Sequence, residues 1–193
     1  MIRMGKNRLS DPVSALNGTT FDGFAQIREI GPFGMISLRC DLADKALPAL
    51  IKSITGTKVP ALRRIEVKDE KAAAWMSPDE LLLIVHYKDV AKAIEIIKKK
   101  LISTHHLAVD VSDARAVFRV EGVSADDVLM KLSPVDFAML SPGEIRRTRL
   151  AQVAAAFWKD GNGYTLVSFR SVAGYVMGLL EHSAQSGSEL QLR

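Results

Sequence analysis

The chain has 193 residues, one cysteine and a formal net charge of +4. This length allows a substantial buried core, as one domain or as two fused halves. Cys40 has no partner for an internal disulfide, and the longest apolar run, 153–158, is too short to span a bilayer. Because no signal-peptide pattern opens the chain either, we expect a cytoplasmic protein.

The N-terminal part of the chain predicts an arm, a strand and a helix. Residues 1–20 show no lasting hydrophobic period, which indicates an extended arm. Apolar and polar residues alternate over 35–40, a pattern typical of a half-buried strand. A helix is predicted to begin near Asp44, to carry Pro48 in its first turn and to end at Gly56.

A hairpin and a second helix are predicted next. The segments 72–76 and 81–86 are short apolar runs on either side of Pro78-Asp79, a pair typical of a tight turn. Apolar residues recur at helical spacing over 89–101, and a strand is expected to follow at 107–111.

Similar elements follow in the C-terminal half. Residues 114–120 follow the alternating pattern of a strand, which Gly122 closes. Ser124 is expected to cap a short helix after it. Asn162-Gly163 is a favoured hairpin turn between the last two of three further strands, predicted at 147–151, 153–158 and 164–169. Ser171 is expected to cap a final helix with an apolar face of Val172, Tyr175, Val176, Leu179 and Leu180.

Helices and antiparallel hairpins occur in both halves, so the predicted class is α+β, with two fused split β-α-β-like halves. The expected organisation is an arm at 1–20, a first half at 21–112, a second half at 113–182 and a polar tail at 183–193. No long Gly/Ser/Pro linker separates the halves, so we expect them to pack as one unit.

The histidines and the cysteine do not form a metal-binding pattern. His105 and His106 are adjacent, so on a strand they point to opposite faces and cannot hold one ion together. His86 and His182 lie far away, with no cysteine or carboxylate at ligand spacing. Cys40 alternates with apolar residues on its strand, which favours a buried structural thiol over a nucleophile.

Two pairs of acidic residues are possible acid–base groups. Asp110 and Asp113, and likewise Asp126 and Asp127, lie near the boundaries of predicted strands and helices, where carboxylates commonly cap backbone amides. The chain lacks a Gly-x-Ser-x-Gly elbow, a Walker loop and a dinucleotide fingerprint. The sequence therefore predicts no catalytic, cofactor-binding or metal-binding residue in this chain.

Two blocks of the sequence together resemble the gamma subunit of heterotetrameric sarcosine oxidase. The first is the hairpin from Trp75 to Leu83, and the second is the Asp-rich segment from Val109 to Arg115. Positions that match the family are Trp75, Pro78, Asp79, Glu80, Asp110, Asp113, Arg115, Pro134, Asp136, Arg170 and Ser171. Positions that depart from it are Ser77, Leu81 and Ser133, where the family commonly has Gly, Trp and Cys.

The resemblance implies a fold like the folate-binding domain of aminomethyltransferases and a role as a non-catalytic subunit. It implies alpha, beta and delta subunits as partners, in a complex that demethylates sarcosine to glycine, forms hydrogen peroxide and passes the one-carbon unit to tetrahydrofolate. FAD, FMN and NAD would lie in the alpha and beta subunits and zinc in delta. Neither nucleic acid nor a membrane is an expected partner.

Two alternatives remain open at the level of the sequence. The first is a folate-binding aminomethyltransferase-like enzyme. Two features count against it: the chain is short, and no acidic residue can be assigned as the partner of a folate. The second is a basic nucleic-acid-binding module, since basic groups occur at Arg63-Arg64, 98–100 and 146–149. Only 6% of the residues are aromatic, and none forms a base-stacking pattern, so these groups fit an acidic protein partner better.

Overall fold

The computed structural model describes residues 12–190, which form two antiparallel β-sheets and four α-helices. Residues 1–11 of the predicted arm lie outside this range. The strands are β1 (Thr20–Asp22), β2 (Gln26–Ile30), β3 (Gly34–Cys40), β4 (Ile65–Lys68), β5 (Lys71–Ser77), β6 (Glu80–Val85), β7 (His106–Asp110), β8 (Arg115–Glu121), β9 (Ile145–Leu150), β10 (Val153–Asp160) and β11 (Gly163–Phe169). The helices are α1 (Leu47–Thr55), α2 (Val90–Lys100), α3 (Ala125–Met130) and α4 (Ala173–Ser183).

The molecule has four layers, with the two sheets between two pairs of helices. One sheet has the strand order β4-β5-β6-β3-β7 and packs against α1 and α2; the other has the order β1-β2-β8-β11-β10-β9 and packs against α3 and α4. The inner faces of the two sheets pack on each other through a third apolar cluster that includes Met35, Ile84, Val117 and Trp158. This arrangement confirms the predicted α+β class.

The stacking of the sheets explains why two strands lack an alternating pattern. All six residues of β6 are buried, because one face of the strand meets the helices and the other meets the second sheet. Six of the seven residues of β11 are buried for the same reason. A strand covered on both faces has a continuous apolar run, as Leu81–Val85 shows.

Most local predictions in the first half are confirmed. Strand β3 places Ile36, Leu38 and Cys40 in the core beneath the helices, as the alternation predicted. Helix α1 has proline in its first turn and ends at Gly56, whose φ of 77° is a left-handed conformation that glycine adopts without strain. The hairpin β5–β6 turns at Pro78-Asp79, again as predicted.

Three strands, β1, β2 and β4, have no counterpart among the predicted elements. Strand β2 pairs with β8, so that Gln26 lies opposite Glu121 and Ile30 opposite Val117. Residues 21–30, assigned to the first half from sequence, thus belong to the sheet of the second half. Short strands such as these depend on distant pairing partners, which local periodicity does not contain.

The prediction for the final helix is partly wrong. Helix α4 begins at Ala173, and the predicted cap, Ser171, lies in a preceding 3₁₀ turn and makes no capping hydrogen bond. Tyr175 is exposed and Leu179 only partly buried. The buried residues are Ala173, Val176, Met177, Leu180 and Ser183. The sequence contains two overlapping apolar stripes, and only the packing decides which one faces the sheet.

Two other predicted ends also differ in detail. Ser124 stands at the N-cap of α3, but its side chain makes no capping hydrogen bond. The turn between β10 and β11 is confirmed, with Gly161-Asn162 rather than Asn162-Gly163 at its centre, because Asp160 pairs with Gly163. Gly161 supplies the positive φ of 58°.

The C-terminal residues 183–190 contact the rest of the molecule. Ala184 is fully buried, and its carbonyl accepts a hydrogen bond of 2.9 Å from the amide of Phe24. The Lys131 ammonium donates to the Ser183 carbonyl at 2.7 Å. In the part of the chain that the structure describes, no helix is long and apolar enough to cross a membrane.

Candidate functional site

His86 and His106 contact different partners. The Nδ1 atom of His86 is 3.4 Å from the Glu70 carboxylate, and that of His106 is 3.0 Å from the Thr104 carbonyl oxygen. Within residues 12–190, no three histidine, cysteine or acidic side chains come together in a group that could hold a metal ion.

The single cysteine is buried, as the sequence predicted. Cys40 is 7% exposed and packs among the apolar residues between β3 and the helices. Burial, followed by the negative charges of Asp44, Asp41 and Asp79, raises the pKa of the Cys40 thiol from 9.0 to about 11. The neutral thiol is therefore the stable form at physiological pH.

Alkylation of Cys40 is expected to be much slower in the native chain than in the urea-unfolded chain. At pH 8 the shift from 9.0 to about 11 leaves about one hundredth of the thiolate of an unperturbed cysteine. The stability that this shift contributes is fully present below pH 9 and is lost as the pH rises towards 11. Iodoacetamide labelling followed by mass spectrometry measures the rate, and equal rates in both states would contradict the assignment.

Three of the four candidate acid–base residues accept hydrogen bonds from other residues of the chain, and Asp126 lies 3.9 Å from the Lys159 ammonium. The Asp110 carboxylate accepts from both the amide and the hydroxyl of Ser112, at 2.9 and 2.6 Å. Asp113 accepts from the Tyr87 hydroxyl at 2.9 Å, and this hydrogen bond is the main reason that the pKa of Tyr87 is raised. Asp127 accepts from the amide of Leu190 at 3.0 Å.

Glu80, one of the positions that match the family, is buried in a network of polar contacts. Only 8% of the residue is exposed, and its carboxylate accepts hydrogen bonds from the Ser37 hydroxyl and the Arg39 guanidinium, both at 2.9 Å. Arg147 approaches the same carboxylate at 3.5 Å from the other sheet. Arg39 also pairs with Asp79 at 2.9 Å. The network therefore joins the two sheets.

Beside this network lies a small opening that we call the inter-sheet groove, lined by Met76, Glu80, Arg115, Arg147, Ala154 and Phe169. The guanidinium of Arg115 lies 4.3 Å above the ring centroid of Phe169. Burial lowers the pKa of Arg115, although the group stays charged at neutral pH. Arg115 is the last residue of the Asp-rich segment that resembles the family, and it is a half-buried cation.

A second depression, which we call the hairpin groove, is lined by Arg63, Trp75, Pro78, Pro134, Asp136 and Arg147, among others. Its volume is about 540 Å³. Trp75 and Pro78 come from the β5–β6 hairpin, whereas Pro134 and Asp136 precede β9. The structure thus brings together two groups of family-matching positions that are distant in sequence.

Several functional features were missed in the sequence. The predictions did not identify Glu80 as a buried charge, nor did they place Arg63 near Arg147. Glu29 was missed entirely, although it is only 3% exposed. The one available signal was that Glu29 lies two residues after Ile27. In a strand the two side chains share one face, so the charged side chain falls on a buried face.

The fold is similar to that of two solved structures. A chain of heterotetrameric sarcosine oxidase from Corynebacterium sp. U-96 matches with a TM-score of 0.76 and 21% identity, over 88% of this chain and 88% of that one. Glycine cleavage system aminomethyltransferase T from Bartonella henselae matches with a TM-score of 0.57 and 12% identity, over 82% of this chain and 45% of that one. The two-sheet α+β architecture of this chain is therefore similar to that of both structures.

The family is shown by the sequence itself. Residues 39–185 match the model of the sarcosine oxidase gamma subunit family, and the chain belongs to that family. The resemblance found in the two sequence blocks is thereby confirmed. No curated protein matches the chain.

Proposed function

We propose that the chain is a non-catalytic assembly subunit of a heterotetrameric sarcosine oxidase, with alpha, beta and delta subunits as its partners. The match of residues 39–185 to the gamma subunit family carries this proposal. The similarity in fold to a chain of a heterotetrameric enzyme, over 88% of both chains, supports it.

The polar residues of the candidate site support a structural role. The family-matching carboxylates Glu80, Asp110 and Asp113 all accept hydrogen bonds from side chains of this protein. A general base needs a carboxylate that is free to reach its substrate. In the proposed complex, FAD, FMN, NAD, tetrahydrofolate and zinc are bound by the partner subunits, in the cytoplasm.

The isolated chain is expected to be colourless and inactive towards sarcosine. Purified alone, it should show no flavin absorbance and form no hydrogen peroxide from sarcosine. Co-expressed with the alpha, beta and delta subunits, the affinity-tagged chain should copurify with them in fixed proportion. Stoichiometric flavin in the lone chain, or failure to join the complex, would contradict the proposal.

A further inference from the structure

The inter-sheet groove and the hairpin groove form one surface, because Met76 and Arg147 line both of them. The residues that line this joint surface include four arginines but only two carboxylates. These charged residues are Arg63, Arg115, Arg146, Arg147, Glu80 and Asp136. The charge of Glu80 is already balanced by its ion pair with Arg39, so the surface carries a surplus of positive charge.

Three of the arginines have guanidinium groups available for a ligand. Arg146 is paired with Glu144 at 2.7 Å. Arg147 makes only long contacts, at 3.4 Å with the Met76 carbonyl and at 3.5 Å with Glu80, a carboxylate that already accepts two shorter hydrogen bonds. Among residues 12–190, the side chains of Arg63 and Arg115 have no hydrogen-bond or ion-pair partner.

The position of Arg63 is determined by contacts with both sheets. Its φ of 56° is unusual for a residue other than glycine. Its carbonyl accepts a hydrogen bond of 3.0 Å from the amide of Ile145 in β9, and the next carbonyl, that of Arg64, accepts one of 3.0 Å from Trp75 in β5. These bonds hold the segment in the hairpin groove, where it places a cation near Arg147.

Exposed apolar side chains lie in the inter-sheet groove and in a neighbouring depression that Arg39 and Leu107 line. Phe169 in the inter-sheet groove is 47% exposed. On the edge strand β7, Leu107 lies opposite Arg39, which in turn lies opposite Glu80, so all three side chains share one face of the sheet. Leu107 and Val109 are 54% and 40% exposed there. An apolar patch bordered by charges is typical of a protein-interaction site.

We infer that this surface binds an extended, carboxylate-bearing segment of a partner subunit. Its acidic side chains pair with Arg63, Arg115 and Arg147, whose planar guanidinium groups match carboxylate geometry. Its apolar side chains cover Phe169 and Leu107. The inference rests on the proposed function and names the face through which the chain enters the complex.

The chemistry of the surface favours a protein segment over other anions. The three guanidinium groups belong to two grooves, and the exposed ring of Phe169 lies in one of them. Glu80 and Asp136 line the same grooves, and their negative charges repel a continuous phosphate backbone. A segment that combines carboxylates with apolar side chains meets both features.

The test uses two variants that each remove two positive charges. One is Arg63→Asn with Arg147→Gln, in which asparagine tolerates the left-handed backbone. The matched control is Lys98→Gln with Lys99→Gln, two exposed lysines at the C-terminal end of α2 that line neither groove. Binding of each purified chain to the reconstituted alpha, beta and delta subunits is measured between about 0.05 and 0.5 M NaCl.

The wild-type chain is expected to bind more weakly as the salt concentration rises. The groove variant should bind at least about tenfold more weakly at low salt and show a smaller salt dependence, whereas the control should stay within about twofold of wild type. Thermal melting of each free chain checks that the variants are folded.

The outcomes separate the two proposals. If the wild-type chain does not bind the partner subunits, the proposed function is rejected and the docking surface with it. If it binds and the groove variant binds equally well, only the docking surface is rejected. Citrate serves as a small-anion probe: if it binds the isolated chain through Arg147 without competing with the partner subunits, the surface is a small-anion site and the inference is overturned.

Discussion

Phe157→Ala is expected to lower the free energy of unfolding by about 3–5 kcal/mol, through lost apolar burial and the cavity that remains. Phe157 is fully buried on the helix-facing side of β10. Its ring is stacked on Phe137, with centroids 5.6 Å apart and planes at 6°, and meets Tyr164 edge-on at 6.1 Å. The substitution removes both aromatic contacts at once.

Urea denaturation of the purified chain measures this loss. The matched control is Phe169→Ala, the same change on the neighbouring strand β11, where the ring is 47% exposed and contacts Arg115. We expect the control to lose about 1 kcal/mol. A similar loss in both variants would show that the core between this sheet and its helices is less tightly packed than the structure indicates.

Glu29→Ala is expected to cost about 2–4 kcal/mol, because hydrogen bonds to a buried charged group contribute more than neutral ones. The Glu29 carboxylate accepts from the Ser14 hydroxyl at 2.8 Å and from the amides of Ala15 and Gly18 at 2.9 and 2.8 Å. Ala15 and Leu16 pack against the rim of the core through this anchor. Arg170 supports it by donating to the carbonyls of Val13 and Ser14.

Release of this segment gives Glu29→Ala a second signature. Limited proteolysis should cut the variant between residues 14 and 18 faster than wild type, at temperatures where both remain folded. The control is Glu66→Ala, which removes a partly exposed glutamate 3.4 Å from Lys58 and should cost no more than about 1 kcal/mol. Equal stability and equal cleavage of the two variants would disprove the anchoring role of Glu29.

The residues of the two stability predictions lie outside the two grooves through which the chain is proposed to enter the complex. Phe157 and Glu29 lie on the helix-facing side of their sheet, whereas Arg115 and Arg147 lie on the inner face. Substitutions in the core should therefore change the amount of folded subunit, and those in the grooves should change its affinity for partners.

The elements that were predicted correctly are those that short segments of the chain specify. Strand β3, helix α1 and the hairpin at Pro78-Asp79 follow from alternation, helical spacing and turn chemistry within short segments. The family resemblance likewise depends on short blocks, and it correctly indicated the fold. In contrast, the cap at Ser171 was wrong, because capping depends on where the packing begins the helix.

The sequence by itself determined the α+β class, most of the helices and hairpins, the buried thiol of Cys40 and the membership of the family. Only the tertiary structure decided that β2 joins β8, that Glu29 and Glu80 are buried, and that Arg63 shares a groove with Arg147. The physical reason is the range of the interactions. Periodicity and turns act between near neighbours, whereas sheet pairing and the stacking of two sheets join residues that are far apart in the chain.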